Sequence, residues 1–403
     1  VVPTGGIARF TNKTVGFRFN GRDLSFRLSH ALFSSFDIDA GTRLLLKSLA
    51  ARIDFGSVRS ALDVGCGVGV IGACIACQAP QAKVVLQDRD ALAAAFAQEN
   101  CRENGLARVS VDCTLGFSGL RGEDFDLVTS NLPAKAGKPV LRMLLRHAAG
   151  CLSRPGVSAV VVVAPLALFV RETLVEIGCE VIHHEETGAH SVIHYRAGSA
   201  PRENESQRED ISPYIRATTR FAPPGFSYTL QTAYALPDFD ALGYPLALAF
   251  GLASETSTSG RVLFWNPGQG HLPAGLLAQA GQKISSVAIA SRDVLQCAVA
   301  AMNVSSAGMP PESLRPLCSE ADLETAFSAG AFDTVVAAPQ PIPRVPWQPD
   351  LARVSVGILK SGGKLLVVST STEMHRFLEQ VHGLRLESSR KHAGFRAAIL
   401  RKA

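Results

Sequence analysis

Apolar positions along the chain switch repeatedly between a period of two and a period near 3.6, the signature of strands alternating with helices. In the first half the pattern predicts a helix over Ala40–Arg52 and a strand over Ser60–Val64. Helix Val68–Ala79 follows and stops at Pro80. Strand Lys83–Gln87 and helix Ala91–Arg102 come next, closed by Asn104-Gly105. Strands are expected at Val109–Asp112 and Asp126–Ser130, then helix Pro139–Ala149 and strand Ala159–Ala164. A helix to Ile177 and strands Glu180–His184 and Ser191–Arg196 complete the set of seven strands. Five strands separated by helices suit a parallel, doubly wound sheet. The short connection between the last two strands requires an antiparallel pair. The longest apolar run, Ala159 to Val170, is broken by Pro165 and falls short of the roughly 18 residues of a membrane span.

The pattern then repeats. Residues 24–45 match 226–247, with Ser25, Leu28, Ala31 and Gly41 recurring as Ser227, Leu230, Ala233 and Gly243. ALDVGCGVGVIG at 61–72 answers VLFWNPGQGHLP at 262–273, and DRDALAAAFAQEN at 88–100 answers SRDVLQCAVAAMN at 291–303. FDLVTSNLPAKAG at 125–137 answers FDTVVAAPQPIPR at 332–344. Four matches in one order, with an offset that drifts only from 201 to 207, indicate a duplication. Two α/β domains are therefore expected, at 1–198 and 212–403, joined through the polar stretch Ala197–Ile211.

Composition agrees with this picture. The chain has 403 residues, enough for two sizeable cores, and its 47% hydrophobic content excludes a disordered chain. Nine cysteines at irregular spacing, mostly in apolar segments, read as reduced thiols, so a cytoplasmic location is expected. Nothing at the start of the sequence has the pattern of a secretion leader. The net charge of +5 permits a nucleic-acid partner without demanding one.

The chemistry concentrates at the end of the first strand. Asp63-Val64-Gly65-Cys66-Gly67-Val68-Gly69 lies where that strand meets its helix, and Asp88 ends the next strand, where a ribose diol would lie. Gly67, Gly69 and Gly72 also fit the G-x-G-x-x-G spacing of dinucleotide folds, and a tight turn without a ligand is the plainer alternative. The Asp-x-Gly-x-Gly-x-Gly form resembles motif I of class I S-adenosylmethionine-dependent methyltransferases. Asn131-Leu132-Pro133-Ala134, at the end of the fourth strand, sits where those enzymes carry the Asn-Pro-Pro-aromatic motif of amine methylation. Asn131 and Pro133 match; Leu132 replaces the first proline and Ala134 the aromatic.

The preceding segment, from Phe33 through Phe36-Asp37-Ile38-Asp39-Ala40-Gly41-Thr42-Arg43 to Leu45, resembles the entry segment of the methyltransferase small domain family. That family includes tandem-domain ribosomal RNA guanine-N2 methyltransferases with one active and one degenerate domain. The resemblance implies two tandem Rossmann-like domains, each a mostly parallel seven-stranded sheet with helices on both faces. It implies S-adenosylmethionine as cofactor, held by Asp63, Gly65, Cys66, Gly67, Gly69, Asp88, Asp112 and Asn131, with Asp112 or Cys113 bordering the adenine. Asn131 and Pro133 would be catalytic, and Phe33 and Lys135 would meet the substrate. The expected activity is methylation of a guanine exocyclic amine in ribosomal RNA, without a metal, by a monomer or homodimer that contacts no membrane. A small-molecule or protein methyltransferase and a non-catalytic RNA-binding assembly factor stay open as alternatives.

One departure stands out. In characterised relatives the second domain is active, whereas here Asp63 becomes Phe264, Gly65 becomes Asn266, Cys66 becomes Pro267, Asp88 becomes Ser291 and Asn131 becomes Ala338. The first domain is therefore expected to be the catalytic one and the second the degenerate copy. Weaker signals remain. Cys74-Ile75-Ala76-Cys77 lacks a second pair and reads as core packing. Alternation puts His190 and His194 on one strand face. Lys135 and Lys138 follow the Asn131 loop. Arg9, Lys13, Arg18, Arg22 and Arg27 alternate with Phe10, Phe17, Phe19 and Phe26, either as an RNA-facing arm or as ordinary strand faces.

Overall fold

The computed structural model describes residues 3–403 except 34, 121, 123, 201–204, 255–257 and 281–282, with the side chains of 205, 206 and 280 also outside it. The chain divides into two compact units between Tyr214 and Ile215. The first unit thus runs past the expected boundary at 198. Within it the Arg208 guanidinium donates to the Leu120 carbonyl at 3.0 Å, and Tyr214 is buried.

The first unit opens with a hairpin of β1 (Lys13–Phe19) and β2 (Arg22–Leu28), paired from Lys13 with Leu28 to Phe19 with Arg22. The alternating charges of this stretch mask its turn, although Asn20-Gly21 between two alternating runs is a strong hairpin signal. Both turn residues have positive φ, 43° and 80°. Then follow α1 (Ala40–Arg52), β3 (Ser60–Val64), α2 (Val70–Gln78), β4 (Lys83–Asp88), α3 (Ala91–Glu103), β5 (Val109–Cys113), β6 (Phe125–Asn131), α4 (Lys138–Gly150), β7 (Leu152–Val163), α5 (Ala167–Glu176), β8 (Glu180–Glu186) and β9 (His190–Arg196). The sheet order is β5-β4-β3-β6-β7-β9-β8, parallel except that β9 runs antiparallel to β7 and β8. Strand β7 begins seven residues before the expected Ala159, because Ser153-Arg154-Pro155-Gly156 reads as a turn by composition. Gly156 lets that stretch lie against β6: a Cβ there would stand 2.6 Å from the Phe125 carbonyl.

The second unit starts after a short helix, α6 (Glu205–Arg208). It contains β10 (Ile215–Phe221), β11 (Tyr228–Ala233), α7 (Tyr244–Ala253), β12 (Gly260–Trp265), α8 (His271–Ala280), β13 (Ile284–Ser291), α9 (Val294–Ser306), β14 (Ser313–Pro316) and α10 (Leu323–Ala326). It ends with β15 (Phe332–Ala337), α11 (Gln348–Ile358), β16 (Leu359–Thr370), α12 (Ser371–Gln380), β17 (Leu384–His392) and β18 (Phe395–Lys402). Its sheet order, β14-β13-β12-β15-β16-β18-β17, repeats the first. Strand β12 is buried on both faces: Val262 and Phe264 enter one apolar cluster, Leu263 and Trp265 the other. Each such fully buried side chain contributes about 1.5–3 kcal/mol.

The duplication extends to irregularities. Register slips between Phe125 and Leu127 and again between Phe332 and Thr334, and between Val181 and His183 and again between Leu386 and Ser388. Asn100 on α3 accepts from Arg27 N and donates to the Arg27 and Val68 carbonyls; Asn303 on α9 does the same for Gln231 and Gln269. These paired amides clamp each hairpin and each glycine loop to a helix. Among the described residues no helix is long and apolar enough to cross a membrane.

Candidate functional site

The carboxyl ends of β3, β4 and β6 meet where the sheet order reverses direction, the place where open α/β sheets bind ligands. Gly65 and Gly67 both adopt positive φ, 70° and 56°, and a Cβ on either would meet nothing within 4 Å. The loop is thus held in a glycine conformation with open space in front of it. Gly69 and Gly72 serve packing instead: a Cβ would stand 3.0 Å from Ala97 Cα and 2.6 Å from the Leu86 side chain, respectively.

The two acids differ in station. Asp63 is only 1% exposed. One carboxylate oxygen accepts from Gly72 N at 2.9 Å, in the first turn of α2, and the other from Thr129 Oγ1 at 3.1 Å. Burial pushes its pKa up to about 7 against the pull of these two bonds. Asp63 therefore shapes the loop from behind. Asp88 is partly exposed; its oxygens accept from Gly67 N at 2.8 Å and Asp90 N at 2.9 Å, which leaves each with a further lone pair. Burial lifts Asp88 to about 6. Cys66 is buried, and burial raises its thiol well above the ordinary range. Of the two residues expected near an adenine, Cys113 pairs with Asp88, whereas Asp112 pairs with Gln87 and is exposed.

Asn131 ends β6. Its amide nitrogen donates to Asp39 Oδ2 at 3.0 Å and lies 3.2 Å from Thr42 Oγ1. A carboxylate only accepts, so Asp39 fixes the orientation of the amide. No donor among the described residues reaches Asn131 Oδ1. Asp39 also caps α1, accepting from Thr42 N at 3.1 Å. Sequence reasoning gives Asp39 and Thr42 no role here; the N-cap signal at Asp39 marks the helix start but says nothing of what else the carboxylate holds.

Beside this loop, Pro133, Ala134 and Lys135 are exposed, and Leu132 is buried. Phe33 and Phe36 are 72% and 66% exposed, and Phe36 leans edge-on against His30 at 5.1 Å. Asn12 Nδ2 donates to the Ser35 carbonyl at 2.8 Å, Lys13 Nζ to the Phe36 carbonyl at 3.1 Å, and Arg43 pairs with Asp37 at 2.8 Å. Lys138 lies over the Phe169 ring. Phe10, Phe19 and Phe26 are buried, so three of the four arm aromatics belong to the core. Arg27 pairs with Glu103, Arg18 with Asp23. Cys74 is buried within α2, and among the described residues no group of three or more His, Cys, Asp or Glu side chains is placed to hold a metal ion.

The second unit keeps the loop shape but fills it. Asn266 and Gly268 adopt φ of 53° and 59°, as Gly65 and Gly67 do. The Ser291 hydroxyl lies 3.2 Å from Asn266 Oδ1 and 3.1 Å from Gln296 Oε1, and Gly268 N donates to Gln296 at 3.3 Å. Gln269 Nε2 donates to the Pro237 and Phe239 carbonyls at 2.7 and 2.8 Å. That draws the 237–239 segment over the loop, and a Cβ on Gly268 would already touch Pro237 and Asp238 at 3.9 and 4.0 Å. In the first unit Val68 stands where Gln269 does, and its side chain has no donor for such a tether.

A seven-stranded sheet with a reversed seventh strand and a glycine loop at its switch point is the class I methyltransferase architecture, present here twice. Residues 23–191 match the family model of the methyltransferase small domain. The chain is 30% identical over 145 residues to the uncharacterized protein YbxB of Bacillus subtilis, covering 36% of this chain and 71% of that one. It is 42% identical over 106 residues to the ribosomal RNA small subunit methyltransferase C of Actinobacillus succinogenes, 26% of this chain and 30% of the relative. It is 38% identical over 94 residues to the release factor glutamine methyltransferase of Xylella fastidiosa, 23% of this chain and 34% of that protein. The latter two matches thus span about a third of each relative's length. A solved structure, the T. thermophilus 16S rRNA N2-guanine methyltransferase with AdoMet and guanosine, has the same fold over 98% of this chain and 99% of its own, with a TM-score of 0.66 at 17% identity. The chain belongs to the methyltransferase small domain family, a family of S-adenosylmethionine-dependent methyltransferases.

Proposed function

We propose that the first unit binds one S-adenosylmethionine and methylates the exocyclic amine of a guanine in ribosomal RNA, while the second unit is a degenerate copy that binds none. The observation that carries this reading is the Asn131 amide, oriented by Asp39 with its oxygen left open, beside a glycine loop with free space before it. Gly65 and Gly67 would line the methionine side, and the remaining lone pairs of Asp88 would accept the ribose hydroxyls. Asp63 would hold the loop in shape, with Gly69 packing it down. When bound, the cofactor supplies an electrophilic methyl on a sulfonium.

The chain's own task is then orientation. Asn131 Oδ1 accepts one amine N–H and turns the nitrogen lone pair toward the methyl, and Pro133 stiffens the backbone that follows. Phe33 and Lys135, both exposed, supply stacking area and a phosphate contact. The base must be unpaired or flipped to enter. A polar tether across the second loop and the loss of both acids there support a silent second site.

A protein side-chain amide is the second reading. The missing aromatic at Ala134 and the likeness to a release factor glutamine methyltransferase favour it. The test is methylation of total RNA from a strain lacking this gene, followed by nucleoside mass spectrometry. Gain of N2-methylguanosine supports the first reading; unmodified RNA alongside methylated release factor replaces it with the second.

A further inference from the structure

One more polar side chain reaches the corner that Asn131 occupies. Strand β9 runs antiparallel to β7 and so begins at the carboxyl edge of the sheet, with His190 paired to Val163, the last residue of β7. His190 and His194 share one face, and both meet α1. His194 Nε2 lies 2.9 Å from Ser48 Oγ. The His190 ring lies against Gly41: a Cβ there would stand 3.0 Å from His190 Cδ2, 3.2 Å from its Nε2 and 3.0 Å from Asp39 Oδ2. His190 Nε2 is therefore within about 6 Å of the carboxylate oxygen that holds the Asn131 amide. The residue is only partly buried, and its ring nitrogens hydrogen-bond to no described residue.

The duplicated unit supplies an internal comparison. There Phe395 takes the place of His190, paired with Thr370, the last residue of β16. Ala241 stands for Asp39, Tyr244 for Thr42 and Ala338 for Asn131. Residues that hold the fold persist in both units, as Asn100 and Asn303 or Asp126 and Asp333 do. The imidazole disappears together with the acceptor-side polar set and the open loop.

We propose that His190 faces the methyl acceptor and takes the proton its amine gives up; this rests on the methyltransferase reading above. The amine nitrogen forms an N–C bond as the S–C bond of the sulfonium breaks, its electron pair staying on sulfur. The nitrogen then carries one hydrogen too many for a neutral product, and that proton passes to the unprotonated nitrogen of the His190 ring and on to water.

Two arms test this on the full chain. In the first, the ten histidines are labelled at ring Cε1, and the His190 signal is assigned by its loss in His190→Gln. Guanosine is added at millimolar concentration to the protein saturated with S-adenosylhomocysteine. A shift of the His190 signal is expected; an unmoved signal overturns the proposal. In the second arm, His190→Gln and His190→Phe should lower turnover on RNA by about 100-fold or more, the lower end of general-base effects, with cofactor affinity unchanged. His190→Ala should regain turnover on addition of imidazole, which a purely structural role would not allow. Full turnover in His190→Gln overturns the proposal and leaves the methyltransferase reading intact. A parent chain that methylates no RNA overturns that reading and the role of His190 with it, an outcome told apart from failure at His190 alone because the parent then shows no turnover either.

Discussion

The buried carboxyl behind the glycine loop gives a sharp thermodynamic handle. Asp63 ionises near 3.8 in the unfolded chain and near 7 in the folded one, with burial as the main cause. Its folded-state pKa is raised, so its contribution to stability is complete below about pH 4 and lost as pH rises through 7. That difference corresponds to about 4 kcal/mol between the two protonation states. Replacing Asp63 by Asn removes the ionisation without orphaning a partner. The Asn oxygen can accept from Gly72 N, its NH2 can donate to Thr129 Oγ1, and the Thr129 hydroxyl can turn to the Leu62 carbonyl 3.4 Å away. The two proteins should then be within about 1 kcal/mol of each other at about pH 4, and Asp63→Asn more stable by about 2–4 kcal/mol at about pH 8. Urea unfolding followed by far-UV circular dichroism reads this. Tryptophan fluorescence reads the second unit separately, because Trp265 and Trp347 both lie there. Stability curves of the Asp63→Asn variant and the parent that run parallel across this pH range would mean that folding leaves the Asp63 ionisation unshifted.

Other expectations follow from the same geometry. Asp88→Ala should weaken S-adenosylmethionine binding by about 2–4 kcal/mol in calorimetry, since each charged hydrogen bond contributes about 1.5–3 kcal/mol. It should also destabilise the apo protein measurably, because Gly67 N and Asp90 N lose their acceptor. Asn131→Ala should lower turnover about 100- to 1000-fold with cofactor affinity within about fivefold of the parent; normal turnover would point to a carbon or oxygen acceptor. Ser291→Asp, which restores an acid in the second unit, should create no cofactor site. The new carboxylate would face the oxygens of Asn266 and Gln296, so the second unit should lose about 1–3 kcal/mol, visible in tryptophan fluorescence.

Much of the architecture is legible in the sequence because period and punctuation agree. Helix α1 and strand β3 stand within the residues their periodicity marks, and Pro80 and Asn104-Gly105 close their helices near the expected places. The hairpin at Lys13–Leu28 escapes because its alternating charges suggest a binding arm more strongly than its Asn-Gly turn suggests a strand pair. The early start of β7 is hidden by residues that imitate a turn. At the site, a glycine pattern locates a loop but cannot say which glycines face open space and which pack, a distinction set by Ala97 and Leu86 from elsewhere in the chain. The Asp39 clamp on Asn131 joins residues 92 positions apart, and the Gln269 tether over the second loop depends on a segment 30 residues away. Such contacts leave no local periodicity to read.

The claim on which the rest depends is that one cofactor binds, and that it binds in the first unit. Calorimetric titration of S-adenosylmethionine into the full chain, with the Asp88→Ala chain beside it, measures this directly. One site per chain is expected in the parent, weakened at least tenfold in the variant. Two equivalent sites, or a single site whose affinity Asp88→Ala leaves untouched, would contradict it.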